Sequence, residues 1–260
     1  MQSYSIGNVF SRAFALVRGS LASSGLLILL VLLVQTAFSY FAMSSLFAQA
    51  GQARPGDINF ALNLFSSPMY YLTLFSAFFL TSFAMAGAVH GMLVVGHGGA
   101  ATLGDCLNAA ARKFLPLFAL TLLWTLGVGL GWILLLVPGL ILLTMWSLAV
   151  PALVGENAGI FGSFGRSRAL TRGLRMNIFV TLLIFLVLYY LVVIAFTASM
   201  FGLNMAQMGV MTRSPLMMLA GIPVNWGALT AIAALLCAIY FEAVEVKEGG
   251  SSSQLNEVFG

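Results

Sequence analysis

Charge is what this 260-residue chain has least of: 11 Lys+Arg and 7 Asp+Glu amount to 7% of it, where a soluble domain carries about 25%. Too few charges remain to clothe a water-facing surface. Cysteine is as scarce, and Cys106 and Cys237 cannot staple a disulfide scaffold. A net charge of +4, spread thinly, offers no basic surface for nucleic acid. No paired carboxylates, zinc-ligand spacing or catalytic triad is visible, so the reading is a non-enzyme without metal or cofactor. What is present is apolar. Hydrophobic residues make up 61% against about 45–50% normally, and the mean hydropathy is +1.03, the composition of an integral membrane protein.

A charge at the bilayer centre costs at least about 2.5–3.5 kcal/mol, so stretches free of Asp, Glu, Lys and Arg outline the spans: 19–53, 58–104, 114–155, 176–212 and 214–241. A spanning helix needs about 20 apolar residues, and 114–155 has room for two, turning at Val137-Pro138-Gly139. The spacing predicts an all-α, polytopic membrane protein with six transmembrane helices near 24–47, 69–95, 115–136, 139–155, 176–201 and 217–241. They would form one domain over 1–242, followed by a tail over 243–260. Cations resist translocation. Arg12, Arg18, Arg112, Lys113, Arg166, Arg168, Arg172, Arg175 and Lys247 fall on the amino-terminal side, and only Arg54 and Arg213 on the other. Both termini are therefore expected in the cytoplasm. Ala48-Gln49-Ala50 mimics a cleavage site, but the apolar core from Leu26 to Met43 exceeds the usual 7–15 residues of a signal peptide and is read as an anchor.

A repeat underlies the spans. Ile6, Val9, Phe10, Ala13, Phe14 and Val17 mark one helical face, and Leu103, Cys106, Leu107, Ala110, Ala111 and Phe114 repeat it. A shift of 154 superposes Ile6, Phe10, Arg12, Ala15, Leu16, Arg18 and Gly19 on Ile160, Phe164, Arg166, Ala169, Leu170, Arg172 and Gly173. The chain then reads as three parallel units, about 1–96, 97–155 and 156–242, each an interfacial amphipathic helix followed by a transmembrane hairpin. In the third copy Ser163, Ser167, Arg168 and Thr171 replace Val9, Ala13, Phe14 and Val17, so that face is expected against protein or a phosphate headgroup.

The most distinctive text runs from Pro151 through Glu156-Asn157, Gly159, Ser163-Phe164 and Arg166-Ser167-Arg168-Ala169-Leu170-Thr171-Arg172-Gly173 to Asn177. With Pro138-Gly139, Tyr240, Lys247-Glu248-Gly249 and Val258-Phe259, it resembles a poorly characterised bacterial family of six-helix membrane proteins. That family is similar to the membrane domain fused to some glycerophosphoryl diester phosphodiesterases. The resemblance implies a bacterial inner-membrane protein linked to envelope or lipid homeostasis. It implies no phosphodiesterase chemistry, because no hydrolase domain accompanies these residues.

Arg166, Arg168, Arg172 and Arg175, behind Glu156-Asn157 and with Ser163 beside them, read either as a lipid headgroup or phosphate contact or as a topology determinant with Glu156 paired to one Arg. His90 is an intramembrane polar residue between Gly87 and Gly91, a G-x-x-x-G that predicts close helix approach. Its imidazole is read as an interhelical hydrogen-bonding group or, with Ala86, as an axial ligand to a pigment. Asn225, after Pro223, is the other intramembrane polar candidate, at a kink or a simple helix start. Gly127-Val-Gly-Leu-Gly131 reads as a packing surface beside the hairpin turn, and Gly162-Ser163-Phe-Gly165 misses the nucleophile elbow by a glycine. Ile58, Ala61, Leu62 and Phe65 suggest a second interfacial element, and Leu255, Val258 and Phe259 a docking tail. The expected function is binding or moving lipid or a small amphiphile, with anionic headgroups as partners. The alternative is an accessory subunit of a larger membrane complex, one that binds pigment through His90.

Overall fold

The computed structural model describes residues 4–50, 62, 65–201 and 219–249. Arg54, Ile58, Ala61, Arg213, Leu255, Val258 and Phe259 lie outside these. Every regular element among the described residues is a helix: α1 (Ile6–Ser20), a π-helical turn at Leu21–Gly25, α2 (Leu26–Ala50), α3 (Pro68–Gly96), α4 (Leu103–Leu134), α5 (Leu136–Met145), α6 (Ala149–Glu156), α7 (Gly159–Thr171), α8 (Arg175–Phe201) and α9 (Ile222–Glu248). Six helical stretches are long and apolar enough to cross a membrane: Ile6–Ser44, Pro68–Gly96, Leu103–Leu134, Val137–Glu156, Arg175–Ser199 and Ile222–Glu248. This fits a multi-pass membrane protein.

Two of these begin earlier than the apolar runs indicate. Nothing between Arg18 and Leu26 breaks the backbone. The π turn absorbs the misfit, its carbonyls and hydroxyls taken up as Ser20 Oγ donates to Leu16 O, Ser24 Oγ to Ala88 O (3.0 Å) and Trp226 Nε1 to Gly25 O (2.7 Å). Likewise α4 starts at a capping box, where Thr102 Oγ1 accepts from Asp105 N and Asp105 Oδ2 accepts from Thr102 N, and continues through Pro116 into its span. Only α7 is a separate helix, because Gly173 at φ +85° reverses the chain where a side chain would be strained.

The apolar face of α1, expected in the acyl chains, instead packs on α3 and α9. Val9, Ala13 and Leu16 are buried there, while Phe14 stays exposed. The reason is the carboxyl-terminal half of α9. Its buried Glu242 needs a partner and accepts from Ser5 N (3.0 Å), while Arg12 Nη2 reaches both oxygens of Glu245 (2.8 and 3.0 Å) above the Phe241 ring. Tyr4 shares a hydrogen bond with Thr181 (3.2 Å), and burial pushes its phenol above the ordinary range, with the Thr181 bond opposing and Glu242 adding. The core lies between α1, α3, α6 and α9 around Ile28, Val89, Met92, Leu148 and Ile239, and a second cluster joins Ala86, Ala110, Leu117 and Leu153. By contrast, Val187, Leu191 and Ile194 of α8 face outward, as lipid-facing residues do.

Small residues set the helix spacing. A Cβ at Gly87 would stand 2.5 Å from Cys106 O, and one at Gly91 would collide with Ser24 Oγ and Cys106 Sγ, so the G-x-x-x-G face of α3 does lie close against α4. A Cβ at Gly131 would stand 3.0 Å from the Gly139 backbone, and one at Gly127 would collide with the Trp146 ring, so that glycine run is a packing surface. The turn itself falls earlier than Pro138: Leu135 is extended (φ −165°), and Pro138 sits in the first turn of α5.

Candidate functional site

Basic and acidic groups meet at one end of the bundle, formed by α1, the start of α4, α7 and the end of α9. Asn157 ends α6 in the left-handed region (φ 54°) and Gly159 follows at φ +69°, so the chain doubles back and lays α7 beside α6. This brings Arg166 to Glu156, with Nε donating to both carboxylate oxygens at 2.8 Å. Nη1 donates to Glu248 at 2.5 Å, and Tyr240 Oη donates to Glu156 at 2.5 Å. The Glu248 bond, with Glu156 adding and partial burial opposing, holds the guanidinium well above its ordinary range. Two carboxylates therefore pair with Arg166, through its Nε and Nη1. Asn157 is exposed and serves the turn.

Ser163 is buried and donates to its own helix at Gly159 O (2.6 Å), so its face of α7 meets protein. Ser167 shows why. Pro151 in α6 has no N–H and disfavours the preceding turn, and the fourth span breaks at Trp146–Leu148. Ser167 Oγ donates to Met145 O (2.7 Å) and accepts from Leu148 N (3.1 Å), with Thr171 Oγ1 at 3.4 Å from Met145 O. These hydroxyls satisfy backbone that the break exposes.

The remaining cations point to a different place. Arg168 and Arg172 are exposed, and Arg175 is half-buried with its Nε shielded and lacking a partner. Arg175 opens α8 and stands in line with Phe179, Leu182, Leu183 and Leu186, spaced i, i+4, i+7, i+8 and i+11 on one helical face. Those four line a cavity of about 570 Å³ between α4, α5, α8 and α9, walled by Trp124, Trp132, Trp146, Leu140 and Ile232, with Thr121 and Ser147 as its polar members. The volume lies within the roughly 300–1,000 Å³ of small-molecule sites. Sequence reasoning missed this chamber, because Trp and Leu lining a cavity have the composition of a lipid-facing surface. The closing of Gly127, Gly131 and Gly139 on Trp132 and Trp146 was the available signal.

His90 lines a second, polar cavity of about 340 Å³ between α3 and α4, with Asp105, Asn108, Arg112 and Lys113. Lys113 Nζ donates to Val154 O, tying α4 to α6. His97, seven residues on, bonds its own Leu93 O (2.7 Å) and packs against the Phe241 ring. Asn225 sits in the first turn of α9 behind Pro223 and donates to Gly221 O (3.0 Å), a helix start with no open kink. Cys106 and Cys237 are buried and unpaired. Among the described residues no three His, Cys, Asp or Glu side chains come together. Compared with known proteins, the chain matches no family model, no curated protein and no solved structure.

Proposed function

We propose that this protein binds or moves a lipid-like amphiphile across or within a bacterial inner membrane, without catalysing a reaction. The observation that carries this reading is the α8 stripe, which runs unbroken from Arg175 into the apolar cavity. A chain in that cavity meets only hydrocarbon and indole surface, and a phosphate or carboxylate head at its end meets Arg175, with Arg168 and Arg172 nearby along the sequence. Arginine suits this role because its fork can hold such an anion with two parallel hydrogen bonds. In this reading the three hairpins share one orientation, with the basic end and both termini in the cytoplasm; the one-sided distribution of cations supports it.

Three of the four tryptophans line the cavity, so the test is quenching of tryptophan emission by phospholipids with brominated acyl chains in mixed micelles. Brominated phosphatidylglycerol is expected to quench wild type at lower mole fraction than brominated phosphatidylcholine. Arg175→Gln should weaken the anionic lipid roughly fivefold, from about 1 kcal/mol per cation. Leu182→Asp, which sets an unpaired carboxylate in the apolar cavity, should abolish saturable quenching. Unchanged lipid dependence in both variants would remove the reading.

A further inference from the structure

The polar cavity between α3 and α4 shares no residue with the apolar one, and its charges have an order. α4 enters the membrane from its first turn. Asp105 is outermost, Asn108 lies one turn deeper, and Arg112 and Lys113 lie a further turn down, about 10 Å below Asp105 at 1.5 Å per residue. Asp105, Asn108 and Arg112 share a helical face, and His90 of α3 lines the cavity across from them. Helical side chains lean toward the amino terminus, so Arg112 reaches back up toward Asp105 and shortens the gap. The carboxylate is thus outermost and the cations beneath it.

A phospholipid with an ethanolamine head carries the matching order, phosphate next to glycerol and primary ammonium outward. We propose that this cavity is a site for a phosphoethanolamine group, its ammonium on Asp105 and its phosphate on Arg112, His90 and Asn108. The open valences agree. Both bonds from Thr102 to Asp105 land on Oδ2, which leaves Oδ1 for an ammonium hydrogen. Lys113 is committed to Val154 O and adds its charge without needing to touch the ligand. Among the described residues no protein group bonds the His90 ring, the Asn108 amide or the Arg112 guanidinium. A purely anionic head would leave Asp105 Oδ1 without a cation, and a choline head has no N–H to donate.

The test is lipid retention measured by native mass spectrometry of the full chain in detergent, after equal exposure to phosphatidylethanolamine, phosphatidylcholine and phosphatidylglycerol of one acyl composition. In the Arg175→Gln background, where the apolar chamber no longer favours an anionic head, phosphatidylethanolamine should be retained about fivefold over the other two. Asp105→Asn, which keeps an acceptor at the helix cap, should erase that preference while leaving phosphatidylglycerol at or above its level in that background. Arg112→Gln should lower retention of all three. Should either variant fail to give a monodisperse, helical protein, Asn108→Leu, which narrows the cavity on the exposed face of α4, must lose the preference instead. Competition by soluble glycerophosphoethanolamine assigns the site to a free headgroup, and retention without competition assigns it to the lipid. No preference for phosphatidylethanolamine in the Arg175→Gln background, or a preference that survives Asp105→Asn and Asn108→Leu, overturns the proposal.

Discussion

α1 matches α7 and the two residues after it at seven positions under a shift of 154, yet the two helices solve opposite problems. In α1 the inward face is Val9, Ala13 and Leu16, and it fills space against α3 and α9. In α7 the same register holds Ser163, Ser167 and Leu170, and it supplies hydroxyls to a broken neighbour. Each helix also carries one arginine, Arg12 or Arg166, to a glutamate near the end of α9, Glu245 in one case and Glu248 in the other, and Arg166 also holds Glu156 at the end of α6. The pairing with α9 is thus the common feature, and the polarity of the inward face answers to whatever each helix lies upon. Serine where a repeat predicts alanine was here the trace of unpaired backbone in another span.

The comparison can be broken at its apolar side first. Leu16→Ala should cost at least about 2 kcal/mol, since a buried leucine leaves a cavity that packed helices fill only in part; thermal unfolding in detergent measures it, and an unchanged midpoint would mean that α1 rests on the bundle without packing into it. Next, Ser167→Ala strips Met145 O and Leu148 N of their partner and is expected to destabilise by about 1–3 kcal/mol. Hydrogen exchange should rise at Leu148 but not at Leu16 if the hydroxyl acts locally. Smallest is Arg166→Gln. Its ion pairs are partly exposed, so a loss of no more than about 1 kcal/mol is expected, diminished further in high salt.

Much of the fold was legible because the bilayer reads sequence coarsely. Long uncharged runs have few alternatives to spanning helices, and Gly87, Gly91, Gly127 and Gly131 announced where backbones come close. What could not be read was which surface an apolar face meets. The stripe of α1 looks the same whether it lies in lipid or on α9, and the lining of the large cavity looks the same as its outer wall. Arg166 was recognisable as a cation, but Glu248 reaches it from 82 residues away. The polar candidates divided accordingly: His90 lines a cavity, Asn225 bonds back to Gly221 O of its own helix start, and Ser163 bonds within α7.

The interruption at Trp146–Leu148 has a mechanical consequence. A span cut into two rods bends at the cut, and here both Trp146 and Ser147 belong to the wall of the large chamber. Ser167, with Thr171 in support, is the clasp across that joint, and it rides on the same helix as Arg168. The width of the chamber and the position of the arginine-bearing helix are therefore geared to one another through the hydroxyls of that clasp.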